Sequence, residues 1–116
     1  MTVVTLTPQK IARNVAEVVT MTASTTDGVE FTVPTNCEKF VIVFHNTSAD
    51  TAYDVTLKAP TYKSHSSAQA DATAVELAAG AIASLVVETA RWMDAHTQKV
   101  LVDSENAAIK AAVIYF

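Results

Sequence analysis

The chain is 116 residues long, 50% apolar and 17% charged, with a formal net charge of −4. That length and apolar share support one folded domain with a core of its own, without help from a metal or a disulfide, and argue against general disorder. The eight Lys and Arg are scattered singly from Lys10 to Lys110, so no cationic cluster exists to displace counterions, and no nucleic-acid partner is expected.

Cys37 is the single cysteine, which excludes an intrachain disulfide. Glu38 and Lys39 beside it oppose each other in charge, and the thiol reads as a small apolar filler rather than a nucleophile. The start, Met1-Thr2-Val3-Val4, lacks the basic-then-apolar order of a signal peptide. No apolar run reaches the roughly 20 residues that span a bilayer. The expectation is a protein made and folded in a cytoplasm, with no membrane partner.

Taken in order, residues 1 to 16 read as an N-terminal arm and residues 17 to 116 as a β-sandwich domain. Thr2-Val3-Val4-Thr5-Leu6 suits a short strand or an extended segment. Thr7-Pro8 then looks like a helix N-cap with proline at the first helical position, and Ile11, Val15, Val18 and Val19 fit an amphipathic helix template. The β-branched alternation of Val18-Val19-Thr20-Met21-Thr22 suits a strand better, so an extended arm feeding a strand over residues 17 to 23 is the reading adopted, with a helix over residues 8 to 20 as its rival. Ser24 to Gly28 is a turn with Asp-Gly as its signal, and Val29-Glu30-Phe31-Thr32-Val33 alternates as a strand that stops at Pro34.

Residues 39 to 60 organise the rest and read as a β-hairpin. The first arm, Phe40-Val41-Ile42-Val43-Phe44, is unbroken apolar sequence, as in a strand buried on both faces. The second alternates, with Tyr53, Val55, Leu57 and Ala59 on one side and Asp54, Thr56 and Lys58 on the other. Between them Asn46 to Thr51 is polar and turn-forming. Residues 61 to 72 form a long loop without periodicity, either mobile or functional. Short strands follow at 73 to 78 and 82 to 88 around an Ala79-Gly80 turn. An irregular connection over residues 90 to 96 carries Trp92, and strands at 98 to 103 and 108 to 116 close the chain. Seven or eight short strands with a turn signal every ten or so residues indicate an all-β fold. It is a single antiparallel β-sandwich, Ig-like or jelly-roll-like, with an extended N-terminal arm.

No constellation for catalysis stands out, and the chain is not expected to be an enzyme or to need a cofactor. Two glycines cannot build a phosphate-cradling loop. His45, His65 and His96 are far apart and in no ligand spacing, so no metal site is expected. No serine sits in a nucleophile elbow, and Asp50, Asp54, Glu76 and Glu88 read as solvated. Asn46-Thr47-Ser48 matches a glycosylation acceptor in form but reads as a turn. Trp92 covers one end of the core or anchors a partner, and Tyr62 poses the same question.

From Thr5 onward the chain resembles the single β-sandwich head decoration proteins of tailed phages. The resemblance rests on Leu6-Thr7-Pro8-Gln9-Lys10-Ile11, on Asp27-Gly28-Val29-Glu30-Phe31, and on Val41 to Ser48 running into Val55-Thr56-Leu57. Leu77-Ala78-Ala79-Gly80-Ala81 before Leu85-Val86-Val87, Arg91-Trp92, and the ending Val113-Ile114-Tyr115-Phe116 complete it. It implies a virion structural protein, made in the bacterial host cytoplasm, that binds the outside of the head through the major capsid protein. It also implies a homo-oligomer, a trimer or another small symmetric assembly. On that reading residues 2 to 16 would add a strand to a capsid sheet edge, so Thr2, Val3, Val4, Thr5 and Leu6, with Tyr62 and Trp92, become the partner-binding candidates. The alternatives are a carbohydrate- or ligand-binding module using the 62–67 loop and Trp92, and a tail or baseplate component.

Overall fold

Strands form where β-branched and aromatic side chains recur at every second residue, because that period puts one set of side chains on one face. The computed structural model describes residues 3 to 12 and 14 to 116, and its strands follow this rule. They are β1 (Val4–Thr5), β2 (Gln9–Lys10), β3 (Thr22–Ala23), β4 (Val29–Thr32), β5 (Lys39–Asn46), β6 (Tyr53–Leu57), β7 (Val75–Leu77), β8 (Ile82–Glu88), β9 (Lys99–Ser104) and β10 (Ile109–Tyr115). One helical turn, α1 (Thr89–Trp92), lies within the stretch that reads as an irregular connection.

Two sheets result, one ordered β1-β4-β9-β6-β7 and the other β2-β10-β5-β8, with β3 also on β10. They pack face to face as a β-sandwich. The inner residues of β4, β6 and β9 (Val29, Phe31, Val55, Leu57, Val100, Val102) meet those of β5, β8 and β10 (Phe40, Ile42, Phe44, Val87, Ile109, Val113) in one buried cluster. Phe31 and Phe40 cross the interlayer edge-to-face, 5.1 Å apart at 87°. Burying each such side chain contributes about 1.5–3 kcal/mol of transfer free energy.

Three sequence expectations are corrected here. The 39–60 segment is no hairpin: β5 belongs to one sheet and β6 to the other, so the chain arches across the sandwich. Asn46, fully buried at the end of β5, accounts for this. Its side-chain amide donates to the carbonyls of Thr51 (2.8 Å) and Leu77 (2.9 Å), and its Oδ1 accepts from the Ser48 amide (3.0 Å). Its backbone exchanges hydrogen bonds with the 78–81 turn, donating to Ala81 (3.0 Å) and accepting from Gly80 (2.9 Å). The polar residues that suggested a tight turn thus fasten an arch, and the amide that would carry a glycan is sealed inside.

The second correction concerns residues 17 to 23, where only Thr22–Ala23 is a strand and neither the longer strand nor the rival helix forms. Asn14 adopts φ 62°. The Gln9 side-chain amide then donates to the Thr20 carbonyl (2.8 Å) and accepts the Thr20 amide (2.9 Å), occupying the groups a ladder would use. The sheets are also mixed rather than purely antiparallel. β1 runs parallel to β4 (Val4↔Val29) and β2 parallel to β10 (Ile114↔Gln9). Residues 4 to 10 therefore cross from one sheet to the other as a strap along one flank, with Leu6 buried beneath it.

Gly28 sits where this strap meets β4. It has φ 91°, and a Cβ there would run into the Val102 carbonyl oxygen of β9. Gly28→Ala should therefore cost about 2–4 kcal/mol in urea unfolding, from left-handed strain plus the displaced strand. Asn46→Ala should cost about 2–4 kcal/mol by leaving the buried Leu77 carbonyl without its donor and releasing the Thr51 carbonyl at the arch. Wild-type midpoints for either variant would contradict this account of the arch and the strap.

Candidate interaction surfaces

The outer faces of the two sheets differ in chemistry, and the difference follows from which residues alternate outward. On the first sheet Glu30, Lys99, Asp103, Asp54, Thr56, Lys58 and Glu76 face away from the core, with Leu101 the one large aliphatic side chain beside them. Some of their charges are paired: Lys99 lies 3.4 Å from Glu30, and Lys58 lies 2.7 Å from Asp71 and 3.4 Å from Asp103, while the carboxylates outnumber the lysines on this face. Pairs this exposed contribute about 0–1 kcal/mol each, so they make a wet, net-acidic surface rather than a rigid one.

On the second sheet the outward positions are mostly aliphatic. The register builds two central rows, Ile114–Val41–Val86 and Ala112–Val43–Ser84. Ionisable groups appear only at the two ends, Lys39 with Glu88 at one and Lys110 with His45 at the other, where Ile82 completes the row. Val41, Val43 and Ile114 are half-buried, while Val86 is 64% and Ile82 is 68% exposed. The unbroken apolar run of β5 reads in the sequence as a strand buried on both faces, yet only its inner face is buried within the chain. Antiparallel sheets that face water normally carry polar residues there. An aliphatic outer face of this kind marks a contact surface.

The candidate partner-binding residues fall in different places. Thr2 lies outside the described residues. Val3 is half-buried, and Val4 and Thr5 form β1, with the Val4 amide donating to Gly28 (3.1 Å) and the Leu6 amide to Glu30 (2.8 Å). The strand addition considered for a partner's sheet edge is thus made by these residues on the chain's own β4. After the strap comes an exposed segment in which Val15 (59%) and Val18 (93%) point to solvent.

Trp92 packs half-buried against the core and lines an apolar groove of about 240 Å³ on the flank opposite the strap. Phe44, Val55, Leu57, Val75 and Leu85 form other parts of that lining, and the Arg91 guanidinium lies 5.9 Å from the centre of the indole ring. Tyr62 is half exposed and stacks on His96, with ring centres 3.9 Å apart and planes at 4°. Trp92 and Tyr62 belong to neighbouring loops, because Ala68 donates to the Arg91 carbonyl (2.9 Å) and Ala95 to the Tyr62 carbonyl (2.9 Å).

Asp94 joins those loops and was not singled out by the sequence, where a lone Asp between Met93 and Ala95 carries no pattern. Its carboxylate accepts the backbone amides of His96 (2.8 Å), Thr97 (3.0 Å) and Tyr62 (3.1 Å). These amides, Thr97 and Tyr62 foremost, hold its pKa down from 3.8 to about 2. Among the described residues no group of three His, Cys, Asp or Glu is placed to hold a metal ion. A comparison with protein-family models, curated proteins and solved structures finds no match to this chain.

The sign of the Asp94 effect on stability follows from its lowered pKa. The carboxylate is favoured in the folded state, so its contribution is complete above the unfolded value near 3.8 and is lost as pH falls toward 2. Asp94→Asn should lower the melting temperature at neutral pH and flatten its fall between pH 4 and pH 2. The measurement is thermal unfolding followed by circular dichroism across that range, and parallel curves for the two proteins would refute the role.

Proposed function

We propose that the chain is a structural protein of a tailed-phage virion, a capsid decoration protein that lies on the outside of the head and stabilises it. Its contact surface is the aliphatic outer face of the β2-β10-β5-β8 sheet. The observation that carries the reading is the unequal chemistry of the two sheet faces, one charged and net acidic, the other mostly aliphatic with ionisable groups at its ends. A contact patch with an apolar centre and a polar rim has that composition.

Support also comes from where the resembling stretches fall. Val41 to Ser48 is the body and end of β5, Leu77 to Ala81 ends β7 and makes the arch into β8, and Val113 to Phe116 closes β10 beside β5. Asp27 to Phe31 runs into β4 and Val55 to Leu57 lies in β6, both of the other sheet, so the resemblance spans the whole sandwich. Many copies held side by side on a shell would let modest contacts add up by avidity. On this reading the partner is the major capsid protein, the protein acts as a small symmetric homo-oligomer, and no catalytic step or cofactor is involved.

Deleting residues 2 to 16 would remove Leu6 and both strap strands, so substitutions of outward-facing side chains are the cleaner probe. Wild-type protein should co-sediment with heads assembled from the major capsid protein encoded in the same genome. Val43→Lys, which places a charge in the centre of the aliphatic face, should weaken that binding by about tenfold or more while leaving the melting temperature near wild type. Heads that do not retain the wild-type protein, or a folded Val43→Lys that binds equally well, would overturn the proposal.

The exposed Tyr62–His96 stack favours a second reading, a module that binds a sugar ring against that surface. Trp92 contributes less to it, since that ring packs against the core. Loss of glycan binding in Tyr62→Ala, with head binding absent throughout, would select this alternative.

A further inference from the structure

The strands that end the two sheets are unequal. β1 and β2 have two residues each and β7 has three, whereas β8 has seven, from Ile82 to Glu88. Short edges offer little for another strand to pair with. A long one is normally guarded by lysine, proline or a bulge. β8 contains neither lysine nor proline and pairs residue for residue with β5 along its whole length, without a bulge. Glu88 at its end is its single charged residue, and Lys39 stands opposite it in register.

We propose that β8 pairs antiparallel with β8 of a second copy, about a twofold axis normal to the sheet, making the chain a dimer with one continuous sheet. With Leu85 opposite Leu85 of the second copy, Ala83 faces Val87, Ser84 faces Val86, and Ile82 faces Glu88. On the outer surface this brings Val86 diagonally against Val86 of the second copy and Ile82 against the same cluster, the spacing at which cross-strand side chains interact.

Charge selects this occupant. In the chain's own register Ile82 stands at the end of the row Lys110–His45–Ile82. The pairing continues that row with Glu88 and then Lys39 of the second copy, so charges of both signs alternate along the row and no like charges are set side by side. The same happens at both ends of the interface because the arrangement is isologous. The twofold axis also leaves both aliphatic outer faces on the same side. The inference stands independently of the capsid reading and differs from the trimer that the resemblance implies.

The test is the solution mass of the full chain by light scattering over a concentration series. Wild-type protein should show twice the chain mass. Val86→Lys, at a site already 64% exposed, sets two cations against each other at the axis and should raise the dimer dissociation constant by about tenfold or more. Val18→Lys, at a site 93% exposed and away from the edge, should leave the mass unchanged. Circular dichroism melting checks that each variant is folded; if Val86→Lys fails to fold, Val86→Thr, which keeps the strand and removes apolar contact, should weaken the dimer in the same direction. A wild-type monomer or trimer, a folded Val86→Lys that stays dimeric, or dissociation by Val18→Lys would each overturn the proposal.

Discussion

The sandwich depends on a single buried amide. Asn46 is the one polar side chain among the most deeply enclosed residues of the core, and a buried amide without partners is costly. Here its two donors and its acceptor are all engaged, on three different segments: the 47–51 turn, the end of β7 and, through its backbone, the turn before β8. That set of bonds can be satisfied only if β5 ends where β6, β7 and β8 all pass nearby. It therefore fixes the point at which the chain leaves one sheet for the other, and with it which strands end up on which sheet. Most connections between consecutive strands cross in this way, with β2 to β3 and β6 to β7 the exceptions. A smaller polar joint does similar work elsewhere. The buried Ser24 hydroxyl donates to that of Ser104 (2.9 Å), linking the end of β3 in one sheet to the end of β9 in the other.

With the layers fixed, the two flanks of the sandwich come to differ. Along one, the strap of residues 4 to 10 pairs with the edge of each sheet in turn and lays Leu6 over the core. Gly28 permits that approach, since any side chain there would collide with β9. Along the other, between β7 and β8, no strap is present among the described residues, and the groove beside Trp92 exposes part of the same apolar interior. The chain thus closes one flank with its own backbone and leaves its longest edge strand on the other.

How much of this was legible depended on the range of the interaction. The strands themselves read clearly, because alternation is local: Val29 to Thr32, Tyr53 to Leu57 and Ile109 to Tyr115 all lie within segments identified from period and turn signals. Partners did not. Asn, Thr, Ser and Asp between two strands look alike whether the chain folds back in one sheet or arches to another, so the 39–60 segment passed for a hairpin. The strap was equally hidden, since parallel pairing of two-residue strands leaves no periodicity. Val18-Val19-Thr20 has strand propensity that a single tertiary contact, the Gln9 clasp, overrides. Asp94 and Tyr62 meet across a sequence gap of 32 residues, which no local pattern announces. Trp92, an isolated large aromatic, reads in the sequence either as a cover for one end of the core or as a partner's anchor, and its half-buried ring packs against the core while lining the groove.

The aliphatic outer face was hidden in the sequence, where the apolar run of β5 reads as a strand buried on both faces. Threonine has strand propensity comparable to valine and keeps a surface wet. The charged sheet uses it outward at Thr32 and Thr56, whereas the other sheet carries Val41, Val43, Val86 and Ile114 at equivalent outward positions. Valine there adds little to the isolated chain, since its outer surface remains partly in water; it gains most when another surface covers it. A function distributed over such a face needs no convergent polar groups and leaves no motif, only a repeated choice of aliphatic over hydroxyl residues on alternate positions of neighbouring strands.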